Sequence, residues 1–165
     1  MLYRTAIERL EKWKKDDKKK ALLITGARQI GKTFLIREFA KKNYENFIEI
    51  NFVTQSSAKQ IFEGDLNADL ILQGITALTK HKLEEGKTLI FFDEVQECPN
   101  ARTAIKFLID DGRYDYAESG SLLGVQYKTV KSYPVGYEHI IQMFPMTFEE
   151  FCIACGVQQS TFKLL

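Results

Sequence analysis

Eight residues near the N-terminus form a pattern that can bind phosphate groups. Residues 26–33 read Gly-Ala-Arg-Gln-Ile-Gly-Lys-Thr, a full match to G-x-x-x-x-G-K-[ST]. Glycines let the backbone turn tightly, so that several N–H groups point at an anion on the N-terminus of the next helix. Lys32 can reach the β- and γ-phosphates of a nucleotide, and the Thr33 hydroxyl can join the coordination shell of Mg²⁺.

The residues around this loop supply the setting that the pattern requires. The apolar run 20–25 has the length of a strand, and apolar residues recur at helical spacing over 34–40. A strand, a phosphate loop and a helix therefore follow one another. The chain is predicted to bind a nucleoside triphosphate through Gly26, Ala27, Arg28, Gln29, Ile30, Gly31, Lys32, Thr33 and Phe34.

A second segment, about 60 residues after the loop, indicates hydrolysis. Residues 88–94 read Thr-Leu-Ile-Phe-Phe-Asp-Glu, an apolar strand that ends in two carboxylates. Ligands of parallel sheets lie at the carboxyl ends of the strands, so Asp93 is expected beside the phosphates. Asp93 can hold Mg²⁺ with Thr33, and Glu94 can orient and deprotonate the attacking water. Glu94 and Lys32 are therefore the catalytic candidates.

Composition limits the class of protein. The chain has 165 residues, 45% hydrophobic and 27% charged, which indicates one globular domain and excludes wholesale disorder. A run of 18 apolar residues is absent, as is the apolar segment of a signal peptide, so we expect a cytoplasmic protein without a membrane partner.

Charge is distributed unevenly along the chain. The net charge is +1, yet residues 1–42 contain thirteen Lys/Arg and only five Asp/Glu. This basic region could contact nucleic acid, but a solvated helix end and turn is the favoured interpretation. Its centre comprises Lys12, Lys14, Lys15, Lys18, Lys19 and Lys20.

The cysteines and histidines predict no metal site. Cys152 and Cys155 have C-x-x-C spacing, but a second pair of ligands is missing, so we expect packing roles for them. His81 and His139 likewise lack metal-ligand spacing and are interpreted as structural.

Patterning along the rest of the chain predicts strands that alternate with helices, hence a parallel α/β sheet with helices on both faces. Helices are expected over 3–15, 54–63, 67–80 (capped by Asn67), from Pro99 to about 111, and from Thr147, where Thr147-x-x-Glu150 forms a capping box. Further strands are expected over 47–52, 113–119 and 136–144, with a turn at 14–20 and a loop at 120–124.

Four segments together resemble the prokaryotic AAA-superfamily ATPases: residues 26–33, 91–97, 118–124 and 144–151. The likeness extends from about residue 3 to about residue 155. It implies a three-layer P-loop NTPase core with sheet order 5-1-4-3-2, and Mg²⁺-dependent ATP hydrolysis coupled to conformational change. It also places Ser119 or Ser121 at the polar sensor position, which touches the γ-phosphate or the attacking water.

The chain departs from these relatives in two ways. Many of them continue into a C-terminal region, so residues 1–165 are interpreted as one ATPase domain, the N-terminal part of a longer protein. Within it, 1–18 form a lead-in helix and basic turn, and 19–155 the nucleotide-binding core. Relatives also carry an arginine near the fifth strand, whereas the last arginine here is Arg113. Self-association or a further domain could supply one; Arg28, Arg102 and Arg113 have no assigned role.

Two other functions remain open from the sequence. The domain could be a switch or scaffold that binds ATP without hydrolysing it. A small-molecule kinase shares the phosphate loop, but it usually needs an arginine-rich lid, and arginines are scarce in the later half. An Asn-Lys-x-Asp guanine-reading segment is absent, so ATP is favoured over GTP.

Overall fold

The computed structural model describes residues 3–16, 20–121 and 134–164. They form a parallel five-stranded sheet whose spatial order is 2-3-4-1-5, as predicted. The strands are β1 (Ala21–Gly26), β2 (Asn46–Asn51), β3 (Thr88–Asp93), β4 (Asp115–Ser121) and β5 (Glu138–Met143).

Helices cover both faces of the sheet, giving the three-layer α/β architecture. They are α1 (Thr5–Lys14), α2 (Lys32–Asn43), α3 (Ala68–Thr79), α4 (Pro99–Asp111) and α5 (Phe148–Ala154), with 3-10 helices at Ser56–Phe62, Val95–Glu97 and Gln159–Leu164. One buried cluster joins α1 and α2 to the sheet, and the other joins α3 and α4 to its opposite face.

Burial explains the composition of the strands. β1 and β3 are buried along their whole length because helices cover both of their sides, and both read as almost continuous apolar runs. β2 and β5 lie at the two edges of the sheet, where burial alternates along the strand. Consequently β1, β3 and β4 are the three central strands, and their carboxyl ends lie side by side along the end of the sheet that is called the carboxyl edge below.

Both N-terminal helix caps that the sequence predicts, at Asn67 and Thr147, are present. The Asn67 side chain accepts hydrogen bonds from the backbone N–H groups of Asp69 and Leu70, and Thr147 and Glu150 form the reciprocal capping box. These caps depend on contacts within three residues, which is why the sequence pattern is sufficient to find them.

Three details of the element predictions differ from the structure. The helix expected over 54–63 is a 3-10 helix over Ser56–Phe62. The fourth strand starts at Asp115 rather than residue 113, because Gly112 ends α4 in a left-handed conformation and Arg113 turns back to the Asp111 carboxylate. It also continues through the expected loop as far as Ser121, since Gly120 and Ser121 pair with β1. Residues 122–124 of that loop lie outside the described residues, as do Lys18 and Lys19.

None of the helices in the described parts of the chain has the length and apolarity needed to cross a membrane.

Candidate functional site

The phosphate loop joins β1 to α2 in a compact turn. Gln29 and Gly31 both have left-handed backbone, with φ of 63° and 92°, and Gly31 is the N-cap of α2. A Cβ atom on Gly26 would lie 2.3 Å from the Met143 carbonyl oxygen, so only glycine allows this close approach to the end of β5. The loop therefore presents the N-terminus of α2, with its positive dipole end, at the carboxyl edge of the sheet.

Lys32 is buried inside this loop. Its Nζ donates to the carbonyl oxygens of Ala27 at 2.6 Å and Gly26 at 3.2 Å, and the residue is only 7% exposed. Burial lowers the pKa of Lys32, while the nearby carboxylates of Glu94 and Asp93 act in the opposite direction. The loop carbonyls thus hold the amine close to both acids.

Asp93 is the centre of a polar cluster at the end of β3. Its carboxylate accepts from the Thr33 hydroxyl at 3.1 and 3.2 Å, from Asn51 Nδ2 at 2.9 Å and from the Ser119 hydroxyl. Asp93 is 3% exposed, so these donors replace water around a buried carboxylate. The carboxylate oxygens of Asp93 and the hydroxyl oxygen of Thr33 are ligands of the kind that Mg²⁺ prefers.

The sequence reasoning did not find Asn51. The signal was present, because Asn51 is the last residue of β2 and lies opposite Asp93 in the parallel register. Its side-chain oxygen also accepts from the backbone N–H groups of Val53 and Thr54, which holds the amide toward Asp93.

Glu94 follows Asp93 in a left-handed conformation, with φ of 56°. This conformation is uncommon for a residue other than glycine, and it starts the short 3-10 helix Val95–Glu97. The Gln96 side-chain amide is buried and donates to the Glu94 carboxylate. Gln96 was also missed from the sequence, although it lies only two residues from Glu94.

The two sensor candidates occupy different environments on β4. Ser119 is buried and contacts Asp93, whereas Ser121 is half-buried at the end of the strand, in register with Gly26. The structure therefore brings Ser119 into the polar cluster.

A cleft of about 400 Å³ adjoins the phosphate loop on the side of β5. Its wall is largely apolar and is formed by Arg4, Gln29, Ile30, Gly31, Phe34, Leu35, Met143, Pro145 and Met146. Phe34 is 56% exposed and so presents its ring on this surface. The size and the apolar lining suit a flat heterocycle attached to the phosphates.

The family model described as AAA domain matches residues 18–152. The chain belongs to this AAA family. A search of curated proteins finds no match. A solved structure of a RuvB point variant from Thermotoga maritima matches with a TM-score of 0.60 and 16% identity, covering 98% of this chain. The chain spans about half, 52%, of that RuvB chain, and at this identity the likeness shows the fold. Family and fold support a nucleotide-binding domain of the P-loop ATPase type.

The three arginines considered from the sequence lie apart in this AAA domain. Arg102 forms a buried ion pair with Glu138, with a nitrogen–oxygen distance of 2.8 Å. Arg113 pairs with Asp111 and Asp69 at the amino-terminal edge of the sheet. Arg28 alone lies on the phosphate loop, where it is exposed.

A second buried acid of the AAA domain, Glu118, lies one residue before Ser119 and on the opposite face of β4. It is fully buried, and neither carboxylate oxygen has a hydrogen-bond partner among the described residues. Burial raises the pKa of Glu118 well above its usual value, and the charge of Glu138 adds to this shift while Arg102 opposes it.

The cysteines and the basic region have the following surroundings in the described part of the chain. Cys98 is buried, Cys152 is half-buried and Cys155 is exposed, all three as free thiols. Within the described ranges, no group of three or more His, Cys, Asp or Glu residues could hold a metal ion. Lys14 of the basic region forms an ion pair with Asp115 at 3.3 Å.

Proposed function

We propose that this AAA domain binds Mg-ATP at the carboxyl edge of its sheet and hydrolyses it, and that the nucleotide state changes the domain's conformation. The observation that carries the proposal is the convergence of four side chains at the carboxyl ends of β1 and β3, the two strands that flank β4: Lys32 and Thr33 at the start of α2, and Asp93 and Glu94 at the end of β3. Membership of the AAA family and the P-loop fold support ATP and Mg²⁺ as the ligands.

Lys32 is the phosphate-binding cation. Its ammonium group donates to the carbonyls of Gly26 and Ala27. Phosphate oxygens carry more negative charge than carbonyl oxygens, so they compete successfully for the same donors. The exchange needs only a rotation of the side chain, because the loop already surrounds the amine.

Thr33 and Asp93 are the residues that would hold Mg²⁺, directly or through water. Asn51 and Ser119 donate to Asp93 and fix the orientation of its carboxylate. When bound, the ion would neutralise negative charge on the β- and γ-phosphates.

Glu94 is the general base. Its carboxylate takes a proton from a water molecule as the water oxygen bonds to the γ-phosphorus and the bond to the β–γ bridging oxygen breaks, releasing ADP and phosphate. The left-handed backbone at Glu94 turns the chain immediately after β3, so its side chain stays at the same edge as Asp93. Gln96 restrains the carboxylate by donating to it.

The apolar cleft beside the loop is the site for the adenine ring. Phe34, Met143 and Met146 supply apolar contact, and the cleft adjoins the loop, so a base placed there remains connected to phosphates at Gly31 and Lys32. Burial of the ring adds affinity without a demand for charged partners.

We expect Glu94→Gln to retain ATP binding and to lose about 10²–10⁴-fold in hydrolysis rate, because an amide cannot accept the proton. Isothermal titration measures binding, and phosphate release measures turnover. Glu85→Gln, which alters an exposed acid before β3, is the matched control. Turnover at the wild-type rate in Glu94→Gln would exclude Glu94 as the base.

A second candidate, an ATP-binding switch without turnover, is favoured by one observation. The side chains proposed for catalysis are engaged by other protein groups, since Gln96 donates to the Glu94 carboxylate and Lys32 donates to the loop carbonyls. An arginine from a second copy or another domain is worth about 10³–10⁵ in rate, so the chain alone is expected to turn over slowly. Binding of Mg-ATP with no measurable wild-type hydrolysis, with or without added partner domains, would support the switch.

A further inference from the structure

Arg4 connects three parts of the molecule that are distant in sequence. Its guanidinium donates to the carbonyl oxygens of Phe144 at 2.7 Å and Ile30 at 3.2 Å, and forms an ion pair with Glu150 at 3.2 Å. Only 14% of the Arg4 side chain is exposed. The residue just before α1 is therefore joined to the phosphate loop, to the segment after β5 and to α5.

Hydrogen bonds from Thr5 and Thr147 fix the position of the Glu150 carboxylate beside Arg4. Its carboxylate accepts from the Thr5 backbone N–H at 2.7 Å, the Thr5 hydroxyl at 2.8 Å and the Thr147 backbone N–H at 3.0 Å. Burial raises the pKa of Glu150, but these hydrogen bonds and the charge of Arg4 outweigh it and hold the pKa below its usual value. A charged, almost fully buried carboxylate thus fixes the position of the guanidinium.

The contact with Ile30 bears directly on the phosphate loop. Ile30 lies between Gln29 and Gly31, both in the left-handed region, so this part of the backbone is in a sparsely populated conformation. The peptide group is planar, and its C=O and N–H point in opposite directions. Because Arg4 fixes the Ile30 carbonyl, it also fixes the Gly31 N–H, which points away from Arg4 at the N-cap of α2.

The same guanidinium also lines the cleft proposed for the base. Its second acceptor, Phe144, directly follows Met143 of the opposite cleft wall. One side chain therefore bridges the two walls of the cleft, the loop on one side and the end of β5 on the other, in addition to the pairing of Gly26 with Met143.

We propose that Arg4 is a positioning residue for nucleotide binding: with Glu150 it clamps the phosphate loop and the end of β5 in the arrangement that accepts the nucleotide. The inference rests on the function proposed above. The clamp makes affinity depend on two residues that need not touch the phosphates, and it makes the packing of α1 and α5 respond to nucleotide.

The test measures the Kd of Mg-ADP and Mg-ATP for Arg4→Met, which keeps the aliphatic stem and removes the guanidinium. We expect the Kd to rise about tenfold, as for loss of a charge-assisted hydrogen bond that organises the loop. Arg113→Met, which removes an arginine paired with Asp111 and Asp69 at the other edge of the sheet, is the control and should change the Kd less than about twofold.

A double-mutant cycle separates the clamp from a merely structural role. Glu150→Gln should weaken nucleotide binding in the wild-type background and add little to Arg4→Met, because both changes disconnect the same contact. If Arg4→Met and Glu150→Gln lower the unfolding temperature but bind nucleotide with the wild-type Kd when folded, the clamp is structural and the proposal is overturned. Should Arg4→Met fail to fold, Arg4→Lys retains the charge but cannot reach all three acceptors, and an unchanged Kd in that variant overturns it equally.

Lys32→Ala separates a failure of the proposed nucleotide-binding function from a failure of the Arg4–Glu150 clamp. Loss of binding in Lys32→Ala with wild-type affinity in Arg4→Met would leave the proposed function standing and refute only the clamp. Wild-type protein that binds neither Mg-ADP nor Mg-ATP would refute both.

Discussion

Asp93 and Glu118 lie on neighbouring central strands, and both carboxyl groups are buried, yet their surroundings differ. Asp93 receives donors from Thr33, Asn51 and Ser119, one from each of three flanking segments. Glu118 receives none among the described residues, and its neighbour Glu138 is already engaged by Arg102. Two acids that are about equally buried thus differ in the number of donors turned toward them, and the acid with three donors is the one proposed above to hold Mg²⁺.

The largest effect is expected from Asp93→Asn, which removes the charge and keeps the shape. The amide oxygen can still accept from Thr33 and Ser119, so the fold should persist. Mg²⁺ should increase the affinity of the wild type for ATP, and loss of the carboxylate should reduce this increase by roughly 100-fold. The measurement is ATP affinity with Mg²⁺ and with EDTA, for variant and wild type. An unaltered Mg²⁺ enhancement would remove the distinction between the two acids.

Glu118→Gln, in contrast to Asp93→Asn, should leave nucleotide binding unchanged and should stabilise the protein at high pH. A raised folded-state pKa means that the wild type is most stable below the unfolded pKa of about 4.5 and loses this contribution as pH rises toward the folded value. Glutamine cannot ionise, so the variant should gain stability over wild type as the pH rises toward 8.

Urea unfolding of both proteins between pH 5 and pH 8 measures this gain, and the difference should shrink toward the acid end. Mg-ATP affinity serves as the control and should not change, because Glu118 faces away from the polar cluster. Parallel pH dependences of the two proteins would show that Glu118 is ionised in the folded state.

The smallest effect is expected from Ser119→Ala, which removes one of the donors to Asp93. The loss should cost about 1 kcal/mol, or roughly fivefold in Mg-ATP affinity, because Thr33 and Asn51 remain. Ser121→Ala, two residues further along β4, is the matched control. Equal effects from the two serines would mean that contact with Asp93 is not what distinguishes them.

The parts of the fold that were predictable depend on short-range patterns. The strand–loop–helix around residues 26–40, the caps at Asn67 and Thr147, and the apolar strand before Asp93 all rest on residues within a few positions of one another. The sheet order followed from the family resemblance, since periodicity alone does not specify which strands become neighbours.

The contacts that were missed join residues far apart in the chain. Arg4 contacts a carbonyl 26 residues away, and local patterns contain no sign of that contact. Asn51 contacts an acid 42 residues away, and its position at the end of β2 indicates this contact only when the neighbouring strand is known. β4 misled for another reason. Its sequence is polar, so apolar periodicity does not mark where the strand expected over 113–119 begins and ends. Glu118 and Ser119 are nevertheless buried, because a central strand is covered on both faces regardless of its composition.

The sheet order also has a consequence for how the protein acquires its structure. Among the described residues, β1 pairs with β4 and β5 and with no other strand, and neither of these two strands begins before Asp115. During synthesis the phosphate loop therefore leaves the ribosome long before the strands that flank β1 have been made, while β2 and β3 can already pair. Contacts between such distant segments form slowly, so the nucleotide site should be among the last regions to become ordered, and Leu22, Leu23 and Ile24 should remain exposed to chaperones until then.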